Sequence, residues 1–268
     1  MQTFPTHTLL PADSPLIISV PHAGTAVPQE LAPRLTPLAL DLPDTDWHVA
    51  KLYDFAPELG ATMIVARYTR YLIDLNRPPD DAALYSAATQ TGLCPTQSFA
   101  GEPLYRDGSD RLAPAEIERR REQYWQPYHE ALRARLDDTR RRFGYALLLD
   151  AHSIRSVVPR LFSGHLPDIN VGTYDGRSCS SAINEALRAR LAGTPRWSQV
   201  FDGRFKGGYI TRHYGQPAQG QHALQIELAQ SSYMDESGTT YDTQRASELR
   251  ELLRSLVVSL LALSLAAA

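Results

Sequence analysis

Cysteine is almost missing from this chain. Cys94 and Cys179 are the only thiols in 268 residues, far apart and outside any CxxC spacing. That excludes a disulfide framework and a cysteine-rich metal site, and fits a reducing, cytoplasmic setting. No charge of one sign dominates either: 27 Lys and Arg face 30 Asp and Glu, giving a formal net charge of -3 and a pI near 6.2. A general binder of nucleic acid or of anionic membranes is therefore not expected. No apolar run reaches the roughly 20 residues that a bilayer span requires. The C-terminal run SLVVSLLALSLAAA has 14 and continues SELRELLR in helical phase, which predicts a terminal helix packed on the core. The opening MQTFPTHTLLPADSP has neither a basic n-region nor an apolar h-region, so no export signal is expected. Internal repeats, low-complexity tracts and the P-loop, GxGxxG and GxSxG spacings are missing as well.

What remains is an ordinary globular composition, 43% apolar and 21% charged, on a chain long enough to bury a full core. Short β-rich runs recur at 15–20, 61–68, 70–76, 146–153, 169–174 and 222–229, several of them almost continuously apolar. Such runs predict strands covered on both faces. Helical patterns lie between them at 46–59, 114–143, 178–191 and 244–265. The alternation predicts one three-layer α/β domain over 1–268, with a mixed, largely parallel sheet. The polar, Pro- and Gly-rich stretch 78–114 reads as an ordered loop excursion, and ERRRE at 118–122 as the solvated face of the long helix.

Chemistry gathers where the apolar runs stop. PLIISV runs into His22, YLIDLN ends in Asn76 and Arg77, and ALLLD runs into His152 and Ser153. Ligands of open α/β sheets bind beyond the carboxyl ends of strands, so these residues are expected on one rim. HALQIELA carries Glu227 inside an apolar run, and a buried carboxylate is costly unless it is paired, metal-bound or chemically used. Two His and one carboxylate meet the needs of a catalytic zinc, because three protein ligands leave a position for water. The carboxylate is Asp44 or Asp46 in PDTDW, where either also suits a helix cap. His22 alone fits a core imidazole bonded to backbone, while Asp150 and Ser153 can orient His152. The Arg77 guanidinium offers a carboxylate a planar fork, although a surface ion pair fits that residue alone equally well. Arg155 and Arg160, just past His152, add possible anion contacts. GRFKGGYITRHYG reads as a mobile loop rich in donors, with Tyr209, Arg212 and His213 after two glycines that let backbone approach a ligand. A serine hydrolase built on Ser153 is disfavoured, since DAHSI lacks the turn that exposes a nucleophile.

Taken together, SVPHAG, LPDTDWHVAKLYDFAPELGA, YLIDLNRP, LLLDAHSIRSVVPRLF, GRFKGGYITRHYG and QIELAQ resemble the N-formylglutamate amidohydrolase family, in order over about residues 15 to 235. The resemblance implies hydrolysis of N-formyl-L-glutamate to formate and L-glutamate, the last step of a bacterial route of histidine degradation. It also implies a fold similar to the zinc carboxypeptidase and aspartoacylase group, and one divalent metal, zinc or cobalt. That group's chain order is His ligand, acidic ligand, Asn-Arg pair for the substrate carboxylate, second His ligand, then catalytic Glu. Here the order gives His22, Asp46, Asn76-Arg77, His152 and Glu227; Arg155, Arg160, Tyr209 and Arg212 are expected from their own positions as further substrate contacts. One departure stands out: where the carboxypeptidase pattern places its acidic ligand shortly after the first His, this chain has Thr25. Asp46 is thus assigned by inference, with Asp44 as its rival. A related metallo-amidase or exopeptidase on another N-acyl amino acid, and a non-catalytic glutamate- or anion-binding protein, are the competing readings. All of them take a small molecule, and the sequence sets no oligomeric state.

Overall fold

A computed structural model describes residues 5–84 and 91–265. Strands β1 (His7–Leu10), β2 (Leu16–Val20), β3 (Thr62–Ala66), β4 (Ala146–Ile154), β5 (Ile169–Gly172), β6 (Gln199–Phe201) and β7 (Gln221–Ala229) form a seven-stranded sheet in the order β1-β3-β2-β4-β7-β5-β6. The central strands β3, β2, β4 and β7 are mutually parallel, while β1 and the β5–β6 pair run against their inner neighbours. The sheet is mixed and mostly parallel, as the sequence predicts. A small hairpin, β8 (Met234–Asp235) with β9 (Thr240–Tyr241), follows β7.

Helices are α1 (Pro37–Leu40), α2 (Val49–Leu52), α3 (Pro114–Arg120), α4 (Gln126–Phe143), α5 (Ser181–Ala192), α6 (Tyr209–Tyr214) and α7 (Thr243–Leu261). Side chains alternate across a strand with period two, so each buried run feeds two cores. Leu147 and Leu149 of β4 join Leu224 and Ile226 of β7 under α2, α5 and α7. Leu148 and Ala223 face the other way, with Ile17 of β2, and pack on α4 and α6. Helices therefore cover both faces, making three layers. The C-terminal apolar run packs inward through Leu256, Val257 and Leu260, and no described helix is long and apolar enough to cross a membrane.

Three sequence expectations change. Residues 70–76 are not a strand: the side chain of Thr69 accepts the Tyr71 amide (3.2 Å) and that of Asp74 accepts the Asn76 amide (2.8 Å), so turns take groups that a ladder would have used. The helix expected at 46–59 shrinks to α2 and a 3-10 turn at Pro57–Leu59, since His48 sits at φ 64° and Pro57 interrupts the run. The expected mobile loop after Gly208 is instead the short helix α6. The long helix forms, but with one π turn at Arg121–Trp125, where Pro127 removes an amide from the ladder. Of the excursion at 78–114, residues 85–90 lie outside the described residues; the rest holds isolated bridges, Leu35 to Tyr105 and Gln97 to Pro103.

Candidate active site

On the α4–α6 face of the sheet, the apolar row Ile17–Leu148–Ala223 gives way to Ser19–Asp150–Gln225, and then to His152 beside Glu227, all in parallel register. Polar residues thus collect at the carboxyl ends of β2, β4 and β7, as the rule for open sheets requires. His22 follows β2, and its carbonyl accepts the amide of Asp46 (3.1 Å), which draws the 43–48 loop over the rim.

His22, Asp46 and His152 are all buried, and one donor atom from each lies within 4.8 Å of the other two. Asp46 Oδ2 is 3.0 Å from His152 Nδ1 and 3.8 Å from His22 Nδ1. The outer nitrogens are held by carboxylates: His22 Nε2 lies 2.7 Å from Asp74 Oδ1, and His152 Nε2 lies 2.8 Å from Asp150 Oδ2. A carboxylate behind each imidazole fixes its orientation and leaves Nδ1 turned inward, the arrangement typical of metal-ligating histidines. Those carboxylates are themselves fully engaged, Asp74 by Arg70 (2.7 Å) and Asp150 by Ser19 (3.0 Å) and Asn76 (3.1 Å).

Asp46 Oδ1 is buried with no hydrogen-bond partner, although its Oδ2 accepts the Ser153 amide at 3.1 Å. Arg70 Nη1, 3.6 Å away, offers Oδ1 a charge but no hydrogen bond, and a cation among the three donors would satisfy it. The donor set therefore fits a divalent metal. Charge balance agrees. Burial and the Arg70 charge lower His22, keeping it neutral as a ligand must be. Burial opposes the charge on His152, but Asp150 and Asp46 outweigh it and raise its pKa well above the usual range. A dication would displace that proton. For Asp46, burial is outweighed by the His152 hydrogen bond and by the charges of His22, His152 and Arg70, so it stays ionised.

Burial raises Glu227 to about 8, with His152 and Arg70 pulling it back. Gln225 Nε2 donates to Glu227 Oε2 (3.1 Å), and Gln225 Oε1 accepts the Gly208 amide (2.8 Å). Gly208 is needed for closeness to protein: a Cβ there would lie 2.4 Å from the Asn76 amide. The approach to a ligand expected of this glycine is an approach to Asn76.

A cavity opens from the cluster, with cations Arg70, Arg77 and Arg204 and apolar side chains Phe99, Ile154, Leu161 and Phe205 among its walls. Arg77 is set by bonds to the carbonyl (2.8 Å) and hydroxyl (3.2 Å) of Thr91, and its own carbonyl accepts from Trp125 Nε1 (3.0 Å) at the π turn. Asn76 borders the cavity, but its Nδ2 is given to Asp150 and its Oδ1 accepts the Ile210 amide (2.8 Å). Arg155 and Arg160 line a neighbouring cavity instead. Tyr209 stacks on His213, and Arg212 donates to the carbonyls of Gly207 and Leu84; neither lines these two cavities. Asp44 accepts the Phe99 amide (2.7 Å), so Asp46 alone of the acidic pair reaches the imidazoles.

The model of the N-formylglutamate amidohydrolase family matches residues 14–234. The chain belongs to the N-formylglutamate amidohydrolase family. N-formylglutamate deformylases of Pseudomonas putida and Pseudomonas aeruginosa are each 52% identical to it over 251 residues, 92% of this chain and 92% and 93% of theirs. A crystal structure of an N-formylglutamate amidohydrolase from Ralstonia eutropha JMP134 superposes with a TM-score of 0.82 at 26% identity, covering 96% of this chain and 97% of that one. For an N-formylglutamate amidohydrolase, sequence reading overlooked Arg70, Asp74 and Gln225. Asp74 in YLIDLN carried the signal that singled out Glu227, a carboxylate in an apolar run. Gln225, two residues before Glu227, shares its face of β7.

Proposed function

We propose that this enzyme hydrolyses N-formyl-L-glutamate to formate and L-glutamate in the cytoplasm, as the last step of histidine degradation. His22, Asp46 and His152 would hold one divalent metal, zinc by donor type and cobalt as a substitute. The observation that carries this reading is the buried His-Asp-His cluster with Glu227 in register beside His152. When bound, the ion supplies Lewis acidity and makes hydroxide available near neutral pH.

The protein's own groups do the rest. Glu227 accepts the proton of the attacking water and passes it to the leaving amine as the C–N bond breaks. Arg70, locked by Asp74 on the cavity wall, faces the formyl oxygen as negative charge develops there. Arg77 and Arg204 receive the glutamate carboxylates; a formyl group offers little to bind, so recognition falls on the diacid. Arg160 holds the Ser98 carbonyl and Gln97, Arg212 holds the Gly207 and Leu84 carbonyls, and Asn76 orders Asp150. Ser153 Oγ is bonded to Tyr233 (2.7 Å), with no imidazole bonded to it among the described residues, which disfavours a serine nucleophile. A plain glutamate binder would use the arginines and have no need of the metal cluster or Glu227.

Arg77→Lys keeps the charge and removes the fork, so kcat/KM for N-formyl-L-glutamate should fall about ten- to a hundredfold. Metal content should be unchanged. N-formyl-L-glutamine should react more slowly than N-formyl-L-glutamate, since its side chain carries no charge. Steady-state kinetics on both substrates checks the pair, and unchanged constants for the variant would remove Arg77 from the site.

A further inference from the structure

Beside the catalytic cavity lies a second one of about 530 Å³. Its walls include Leu38, Ala100, Val157, Val158 and Pro159, so it is largely apolar. The two cavities share two lining residues, Phe99 and Ile154. Ile154 is the last residue of β4 and is fixed by the sheet. Phe99 is carried instead on a tight turn, in which Gly101 N donates to the Ser98 carbonyl and Gln97 bridges Pro103.

That turn is clamped from the side of the second cavity. Asp44 accepts the Phe99 amide (2.7 Å), and Arg160 donates to the Ser98 carbonyl (3.1 Å) and to Gln97 Oε1 (2.7 Å). On the catalytic side, the Arg70 guanidinium lies over the Phe99 ring, 4.6 Å from its centroid. The ring is therefore a partition with a fixed backbone and a cation against one face. A reacting carbonyl must sit between the metal cluster, Glu227 and Arg70. Phe99, packed on Arg70, is then among the apolar side chains that the substituent on such a carbon can meet.

We propose that Phe99 sets the acyl-chain limit of the enzyme, and that shortening it admits N-acyl-L-glutamates with short aliphatic acyl chains into the apolar cavity behind. This rests on the deformylase reading of the site. The reaction is unchanged: water adds to the acyl carbon, the C–N bond breaks, and a carboxylate and glutamate leave, the amine taking the proton. A hydrogen on the acyl carbon fits in front of the ring, and an alkyl chain does not. Such a wall would produce a formyl preference through exclusion, which discriminates more sharply than contact with so small a group.

The test measures glutamate release by the parent, Phe99→Ala and Phe99→Leu from N-formyl-, N-acetyl-, N-butanoyl- and N-hexanoyl-L-glutamate, with N-formyl-aminoadipate as the longer diacid. The ratio of kcat/KM for butanoyl over formyl substrate should rise about a hundredfold in Phe99→Ala, the scale set by chain length in an apolar pocket. Phe99→Leu should give a smaller rise, and it decides the matter if the alanine variant does not fold. Val157→Trp refills the second cavity from its exposed side. Added to Phe99→Ala, it should reverse the gain. An unchanged ratio in a folded variant that still hydrolyses N-formylglutamate overturns the proposal. So does a gain on N-formyl-aminoadipate alone, which would place the side chain, not the acyl group, at Phe99. A parent enzyme inactive on N-formylglutamate would instead reject the deformylase reading.

Discussion

Glu227→Gln should lower turnover by about 10²–10⁴-fold while the protein stays folded and metallated. That loss corresponds to roughly 3–5 kcal/mol on the barrier. Gln keeps the size of the side chain and can still accept the hydrogen bond from Gln225, so the local packing of β7 has no reason to change. What it cannot do is take a proton from water. The placement supports the role: Glu227 is buried and registered beside His152, and burial raises its proton affinity towards that of a base near neutrality. A bound dication would draw that affinity down again, which favours the ionised, proton-accepting form. The competing role is structural, as a charge that balances the buried arginines. In that case Gln would lower the thermal midpoint and leave the rate nearly intact. Turnover, metal content and Tm measured on the same preparation separate the two roles.

Asp46→Ala should cost the enzyme its metal, and its activity with it. Ligand-supporting residues are worth about 10–100-fold in metal affinity, and loss of a ligand should exceed that. The neighbouring Asp44→Ala should retain the ion, because Asp44 holds the Phe99 amide and not the cluster. The pair is informative because the two residues share one short loop, so damage to the loop would affect both variants alike. Metal analysis of each, with formate release beside it, checks the assignment. Retention by the Asp46 variant and loss by the Asp44 variant would reverse it.

The central strands were legible because β2, β4 and β7 are buried on both faces and read as apolar runs. For the same reason His22, His152 and Glu227 could be picked out: each interrupts or ends such a run. Residues 70–76 have a strand's composition, but Thr69 and Asp74 divert the backbone amides, and no periodicity reports that. Asp74 carried the same signal as Glu227 and Arg70 carried none, although together they tie His22 to the cavity wall. Asp44 and Asp46 could not be separated from sequence, since contacts distant along the chain set them apart: the Phe99 amide takes Asp44, while the His22 carbonyl and the Ser153 amide hold Asp46 at the cluster. Arg155 and Arg160 stand close to His152 in sequence, yet β4 ends at Ile154 and both side chains line the second cavity.

Metal dependence is the claim on which the rest stands, and one titration tests it. Enzyme stripped by a chelator is mixed with increasing zinc, and in parallel cobalt, while formate release from N-formyl-L-glutamate is followed. The metal-free enzyme should be inactive, and activity should climb in proportion to added metal and level off at a single equivalent per chain. Full activity from enzyme whose metal content is below detection would contradict the account.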